Sequence, residues 1–227
     1  MKNLCTLKDA VSPWLQTTFP NIKKYIEYGN RSQIKKGTIL ISPGERSNYL
    51  YYILRGNLKT CMVSYDGQEK IFAILGSNTL VYEGTLLNNN ISSVLVTALD
   101  NCEVVSFNEE QLQSILSNDP EATLDLLNYL HLKYKMLVSL HQGLLFCSPP
   151  QRLCRLLCIL ADNFGERLKN NVIIHLRLTQ NQLAELLGVS RVTISHILKE
   201  MRQQEILEIK NRKIIFNEKI CTYCQKY

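Results

Sequence analysis

The sequence predicts an α+β fold in three parts: an N-terminal antiparallel β-roll of the double-stranded β-helix kind, one long helix, and a C-terminal winged helix-turn-helix. Three observations carry this. Short extended runs broken by glycine turns fill residues 34 to 107, the apolar period turns helical at residue 121, and two short amphipathic patterns meet at Gly188.

In the first part the breaks fall at Lys36-Gly37, Pro43-Gly44, Arg55-Gly56, Asp66-Gly67 and Gly76. The β-branched and aromatic run Tyr49 to Leu54 reads as a strand that ends at the Arg55-Gly56 break. Asp66-Gly67 is a hairpin signal between strands at Leu58 to Ser64 and Lys70 to Leu75.

From Glu121 to Phe146, Leu127, Leu130, Tyr134, Leu137, His141 and Leu144 recur at three and four residues. That is a heptad seam, and it predicts a homodimer through residues 121 to 146. A single helix packed on its own roll would also carry an apolar stripe. Leu126, Leu132, Met136, Val138, Leu140 and Leu145 widen the surface beyond one seam, as contact with both the roll and a second helix requires.

Ser148-Pro149-Pro150 breaks the helix, because proline lacks the backbone donor and clashes with the preceding turn. Ser148 as cap and Pro149 at the first helical position open a new helix through Asp162, ending near Gly165. Thr179 then caps a short helix with Leu183 and Leu187 facing inward and the small Ala184 at the crossing. Gly188 supplies the turn, and Ser190 caps a second helix whose buried face is Ile194, Ile197 and Leu198. Ile206 to Ile209 and Lys213 to Phe216 flank Lys210-Asn211-Arg212 as a short hairpin wing. An ordinary αα-hairpin is the plain alternative; small residue, turn glycine, cap and exposed Arg191 together favour a module that binds double-stranded DNA.

Charge agrees with that reading. The 80 residues from Ser148 onward carry 13 Lys/Arg against 7 Asp/Glu, whereas residues 1 to 147 carry 13 against 13, so the whole net charge of +6 sits in the C-terminal part. A duplex presents a dense line of phosphates, and a module that meets it needs a local cationic excess. At 227 residues with 45% hydrophobic content the chain can bury a real core. No signal peptide or membrane span is read, so no membrane role and a cytoplasmic location are expected, with most of the eight cysteines reduced.

This order of parts resembles the Crp-Fnr family of bacterial transcription regulators over essentially the whole chain after about residue 20. The most specific pieces are Lys36 to Leu40 with Pro43-Gly44-Glu45, Tyr52 to Gly56, Asp66-Gly67, and Leu178 to Lys199 followed by Met201 to Leu207. The resemblance implies an effector-sensing roll over residues 1–120, a dimerisation helix and hinge over 121–147, and a DNA-binding domain over 148–227. It also implies a homodimer that binds a DNA palindrome when a small-molecule effector repositions the DNA domains. RNA polymerase is the further partner it implies, for a non-enzymatic regulator that acts as an activator or a repressor.

Departures from the pattern narrow the effector. Members that bind cyclic AMP hold the cyclic phosphate with a Gly-Glu pair and, about ten residues on, an Arg-Ser pair whose guanidinium is bidentate. Here Tyr82-Glu83 and Ile91 to Val94 occupy those regions, and no arginine occurs from Gly56 to Gln151. Phosphate recognition then loses its bidentate, charge-assisted partner, and a cyclic nucleotide is not the expected ligand. An apolar or aromatic effector is expected, as in the subgroup sensing halogenated phenolics. Tyr82, Glu83, Asn90, Ser93, Lys133, Tyr134 and Leu137 are the candidate contacts.

In the family the second helix of the motif enters the major groove, which nominates Ser190, Arg191, Val192, Thr193, Ser195, His196 and Lys199, with Thr179 and Gln180 at the start of the first helix. Arg191 suits guanine or phosphate, Ser195 a base edge, and Thr179, Thr193 and Lys199 the backbone. Val192 and His196 stand where cyclic-AMP-binding members have an acid and an arginine. Valine can touch a thymine methyl, so A/T-rich half-sites are expected.

A redox- or metal-responsive regulator of the same fold is the main rival. Iron-sulfur members carry an N-terminal cysteine cluster, whereas Cys5 stands alone before Cys61. Cys221-Thr222-Tyr223-Cys224 has metal-like spacing but lacks two further ligands nearby in sequence, and Cys154 and Cys158, one turn apart among leucines, read as small buried residues. His131, His141, His175 and His196 all lie outside the roll, which argues against a haem sensor or a cupin-type metalloenzyme. No metal and no cofactor are expected.

Overall fold

The computed structural model describes residues 12–17, 19–86, 91–176, 178–211 and 213–226. They form two compact units, Pro13–Lys133 and a second that begins at Tyr134.

The first unit is built on two sheets. One has the order β1-β6-β5-β8-β3 and the other β2-β9-β4-β7. The strands are β1 Trp14–Leu15, β2 Asn30–Ile34, β3 Ile39–Ile41, β4 Tyr49–Arg55, β5 Leu58–Val63, β6 Glu69–Leu75, β7 Leu80–Val81, β8 Leu95–Ala98 and β9 Cys102–Asn108, with a single turn of helix, α1, at Pro20–Lys23. Among the described residues only the two-residue β1 pairs parallel to its neighbour, β6. The roll read from the glycine pattern is therefore antiparallel throughout its body. Its core holds Tyr52, Ile53, Leu58, Cys61, Ala73, Ile74, Leu80, Val104 and Phe107, each 0% exposed. Burial of a large apolar side chain of this kind contributes about 1.5–3 kcal/mol.

The hairpin expected at Asp66-Gly67 joins β5 to β6 with Val63 opposite Glu69. Ser64 N donates to Gln68 O at 3.0 Å, and the Asp66 carboxylate accepts from Gln68 Nε2 at 2.7 Å and from Ser64 Oγ. Gly56, between β4 and β5, has φ +91°, and a Cβ there would lie 2.7 Å from Cys102 Sγ and 2.9 Å from Asn101 O. Only glycine fits that turn.

Helix α2, Glu109–Asn118, follows β9 directly; Asn108 and Gln111 form its capping box, and Leu112 and Ile115 are its buried face. Helix α3 runs from Pro120 to Phe146, 27 residues. Proline suits its first position, and Asp119 Oδ1 accepts from the N–H groups of Glu121 and Ala122 at 3.0 and 3.2 Å.

Helix α4, Pro149–Phe164, opens with Ser148 as cap and Gln151 completing the capping box. Strands β10 Gly165–Arg167 and β11 Asn171–Ile174 follow, then α5 Gln180–Leu187, α6 Arg191–Gln203, β12 Leu207–Lys210, β13 Lys213–Asn217 and α7 Lys219–Lys226. The expected wing is the β12-β13 pair, but it is half of an antiparallel sheet, β10-β11-β13-β12. The core of this second unit holds Leu153, Leu157, Val172, Ile174, Ile194, Met201 and Ile220, each 0% exposed.

Candidate functional site

The second unit presents a helix face with an ordered underside. Thr179 Oγ1 accepts from Gln182 N at 3.2 Å while Gln182 Oε1 accepts from Thr179 N at 2.9 Å, closing the first turn of α5. Gly188 takes φ +64° and ψ +38° and ends α5 in the left-handed conformation. Ser190 Oγ then accepts from Thr193 N at 3.0 Å and lies 2.8 Å from Thr193 Oγ1. On the far side of α6, Ile194, Ile197, Leu198 and Met201 are buried; on the near side Arg191, Val192, Ser195, His196 and Lys199 are exposed along one stripe, Val192 at 64%. Ser190 and Thr179 are also exposed, while Gln180 and Thr193 are half-buried. Guanidinium, methyls, hydroxyl, imidazole and ammonium on one helix face match what base edges and phosphates in a major groove can accept.

The candidate effector residues do not all converge. Glu83 and Lys133 meet: the ammonium donates to Oε1 at 2.5 Å, with side chains 13% and 18% exposed. The same ammonium sits 4.7 Å from the ring centroid of Tyr129, a cation–π contact. Tyr129, absent from the sequence-derived set, is 1% exposed and its hydroxyl donates to Leu80 O at 2.7 Å. Burial, and then the Glu83 carboxylate, pushes its phenol well above the ordinary 10.0, so it stays neutral. Tyr129 and Lys133 are four residues apart on one helix, a spacing that could have nominated the tyrosine. Tyr82 adjoins Glu83, 9% exposed, with φ +67°. A bulky residue in that region is a backbone outlier of the sort that concentrates at ligand sites. Ser93 is exposed on the approach to β8, and Asn90 lies outside the described residues.

Tyr134 and Leu137 are exposed on α3. Leu124, Leu127, Leu130, Tyr134, Leu137, Val138, Leu144, Leu145 and Phe146 stand 39–79% exposed along α3, whereas Ala122, Leu126, Tyr129 and Met136 are buried. An apolar face of this extent marks an interaction site. His141, the polar member of the seam, is exposed as well.

Among the described residues no group of three or more His, Cys, Asp or Glu side chains is placed to hold a metal ion. Cys154 and Cys158 are buried on α4, and Cys221 and Cys224 are half-exposed on α7. Nor is any described helix long and apolar enough to cross a membrane.

Two family models match the chain in the order of its units: the cyclic nucleotide-binding domain over residues 31–119 and the Crp-like helix-turn-helix domain over residues 151–219. The chain belongs to the Crp-Fnr family. It is an effector-controlled transcription regulator of the Crp-Fnr type, and its curated relatives are transcription regulators. The global nitrogen regulator of Nostoc sp. is 26% identical over 188 residues, 82% of this chain and 84% of the relative. The CRP-like cAMP-activated global transcriptional regulator of Mycobacterium tuberculosis is 24% identical over 183 residues, 81% and 82% of the two chains. Two solved structures share the Crp-Fnr fold. A cysteine-to-serine variant of OCPA-complexed CprK superposes with a TM-score of 0.79 at 24% identity, covering 94% of this chain and 97% of its own. A CooA mutant from Carboxydothermus hydrogenoformans gives 0.81 at 19% identity, covering 93% and 96%.

Proposed function

We propose that this chain is a homodimer joined through residues 121–146, and that it sets α6 of each copy in the major groove of a palindromic, A/T-rich DNA site. Its effector is a small aromatic molecule and not a cyclic nucleotide. The observation that carries the DNA reading is the exposed stripe of Arg191, Val192, Ser195, His196 and Lys199 over a fully packed underside. A rigid helix can hold such groups at base-edge spacing, and two copies related by a two-fold axis meet two half-sites one turn apart. The seam on α3 supports the dimer: nine large apolar side chains lie exposed on one helix. The proposal entails a cytoplasmic protein with RNA polymerase as its further partner.

The effector reading rests on charge. A cyclic phosphate needs a cationic fork, the stretch from Gly56 to Gln151 has no arginine, and Lys133 is already paired with Glu83. The Tyr129 ring lies against that pair and Tyr82 adjoins it in sequence, which favours a planar apolar ligand over a sugar phosphate. CprK has been solved in complex with o-chlorophenolacetic acid, and a ligand of that class is the one proposed here.

Calorimetry and fluorescence anisotropy test both halves with the full chain. The proposal expects no heat with cyclic AMP and tighter binding to a palindromic duplex when a chlorophenolic acid is added. Micromolar cyclic AMP binding would overturn the effector half; a monomer in sedimentation at micromolar concentration would overturn the dimer.

A further inference from the structure

Of the cysteines among the described residues, Cys61, Cys102, Cys154 and Cys158 are buried, and Cys147, Cys221 and Cys224 are half-exposed. Cys221 and Cys224 are three apart on α7, hence neighbours on one helix surface. Ile220 and Tyr223, 0% and 2% exposed, anchor the other side of this helix. The matched family domain ends at residue 219, where α7 begins.

One side chain links this helix to the start of α4. Gln151 Nε2 donates to the Cys224 carbonyl at 3.3 Å, while Gln151 Oε1 accepts from Ser148 N at 2.9 Å in the capping box. The end of α7 and the cap of α4 therefore share a single amide.

We propose that Cys221 and Cys224 form a reversible dithiol–disulfide pair that loosens this shared amide on oxidation. The oxidant is a small disulfide such as oxidised glutathione. One protein thiolate attacks it, forming a mixed disulfide and releasing one small thiolate. The second protein thiol gives up its proton, attacks the protein sulfur of the mixed disulfide and releases the second small thiolate. The protein loses two protons and two electrons, and the oxidant leaves as two thiols.

Helix geometry explains the coupling. Side chains three apart have Cβ atoms about 5–6 Å from each other, and a disulfide needs about 3.5–4.5 Å, so closure must draw them together by roughly 1–2 Å. Ile220 and Tyr223 hold the buried side, which leaves the shift to the last turn and the Cys224 carbonyl. At 3.3 Å the bond from Gln151 is already long, and it does not survive such a shift. Burial, and then its neighbour Cys224, raises the Cys221 thiol above its ordinary 9.0, so Cys221 stays protonated near neutral pH and attacks faster as pH rises.

The full reduced chain, treated with oxidised glutathione, alkylated and cut with trypsin, tests this. Cleavage after Lys219 and Lys226 puts both cysteines on one peptide. The expected product is that peptide two hydrogens lighter and unalkylated. In the intact oxidised protein, hydrogen exchange at the Gln151 and Arg152 amides should quicken about tenfold, the effect of losing one supporting bond. Gln151→Ala should show the fast exchange without oxidant, and the paired change Cys221→Ser with Cys224→Ser should not respond. The inference is overturned if both cysteines stay alkylatable or pair with other peptides. It is equally overturned if the disulfide forms, or Gln151 is removed, with no change in exchange.

Discussion

Replacing Lys133 by methionine keeps the aliphatic stem and removes the ammonium, leaving Glu83 with its carboxylate 13% exposed and no other ion-pair partner among the described residues. Breaking a fully buried pair from one side costs about 3–5 kcal/mol. Residual water at side chains 13–18% exposed screens part of that, which brings the expectation to about 2–3 kcal/mol. Loss of the contact 4.7 Å from the Tyr129 ring adds about 0.5–1 kcal/mol. Glu83→Gln alone should cost about 1–2 kcal/mol, and the double variant no more than Lys133→Met alone, because it leaves no orphaned charge. Trp14 is the single tryptophan, buried in the same unit, so urea unfolding followed by its fluorescence reports on the right part of the chain. Additive effects in the cycle, or a Lys133→Met loss below about 0.5 kcal/mol, would refute the reasoning.

Three further outcomes are expected. A Cβ at Gly188 would meet only Leu144 Cδ2 at an ordinary 3.5 Å, so Gly188→Ala should cost about 1 kcal/mol from backbone strain alone, with valine worse and asparagine milder in thermal unfolding by circular dichroism. Equal stability across the series would contradict the left-handed turn. Arg191→Ala should weaken specific DNA binding by about 1–3 kcal/mol if the guanidinium reads a base, measured by anisotropy against a scrambled duplex. An equal loss on both duplexes would assign it to phosphate. The raised phenol of Tyr129 means the folded state keeps a proton that the unfolded state releases above 10.0, so stability is full below that pH and falls above it. Tyr129→Phe should lessen this alkaline slope, to which Tyr51 and Tyr52, also raised by burial, contribute, while costing about 1–2 kcal/mol at neutral pH for the unpaired Leu80 carbonyl; an unchanged slope counts against the assignment.

What the sequence revealed and what it hid follow a physical line. Turns and caps are local, so Asp66-Gly67, Ser148-Pro149, Thr179, Gly188 and Ser190 were legible from spacing alone. So was the long helix, because its period is carried by its own residues. Helix α2 carries an equally local signal, Asn108 with Gln111, which the longer pattern beside it masks. Strand β11 lies in the β-branched run Val172 to Ile174, but its partner β13 is at least 40 residues away, and no short window shows that pairing. The meeting of Glu83 with Lys133 is likewise a product of the fold, as is the Leu80 carbonyl that holds Tyr129. Tyr134 and Leu137, exposed on α3, fit both the seam and the effector set in the sequence, because composition alone does not say which way an apolar residue faces.

Selection of duplexes from random DNA by the full chain, followed by sequencing, tests the central claim most directly. The account predicts a two-fold palindrome whose A/T-rich half-sites have centres one helical turn apart, with thymine enriched where Val192 would touch a methyl, and loss of that enrichment for Val192→Asp. G/C-rich half-sites, single unpaired sites, or no enrichment over the starting pool would contradict it.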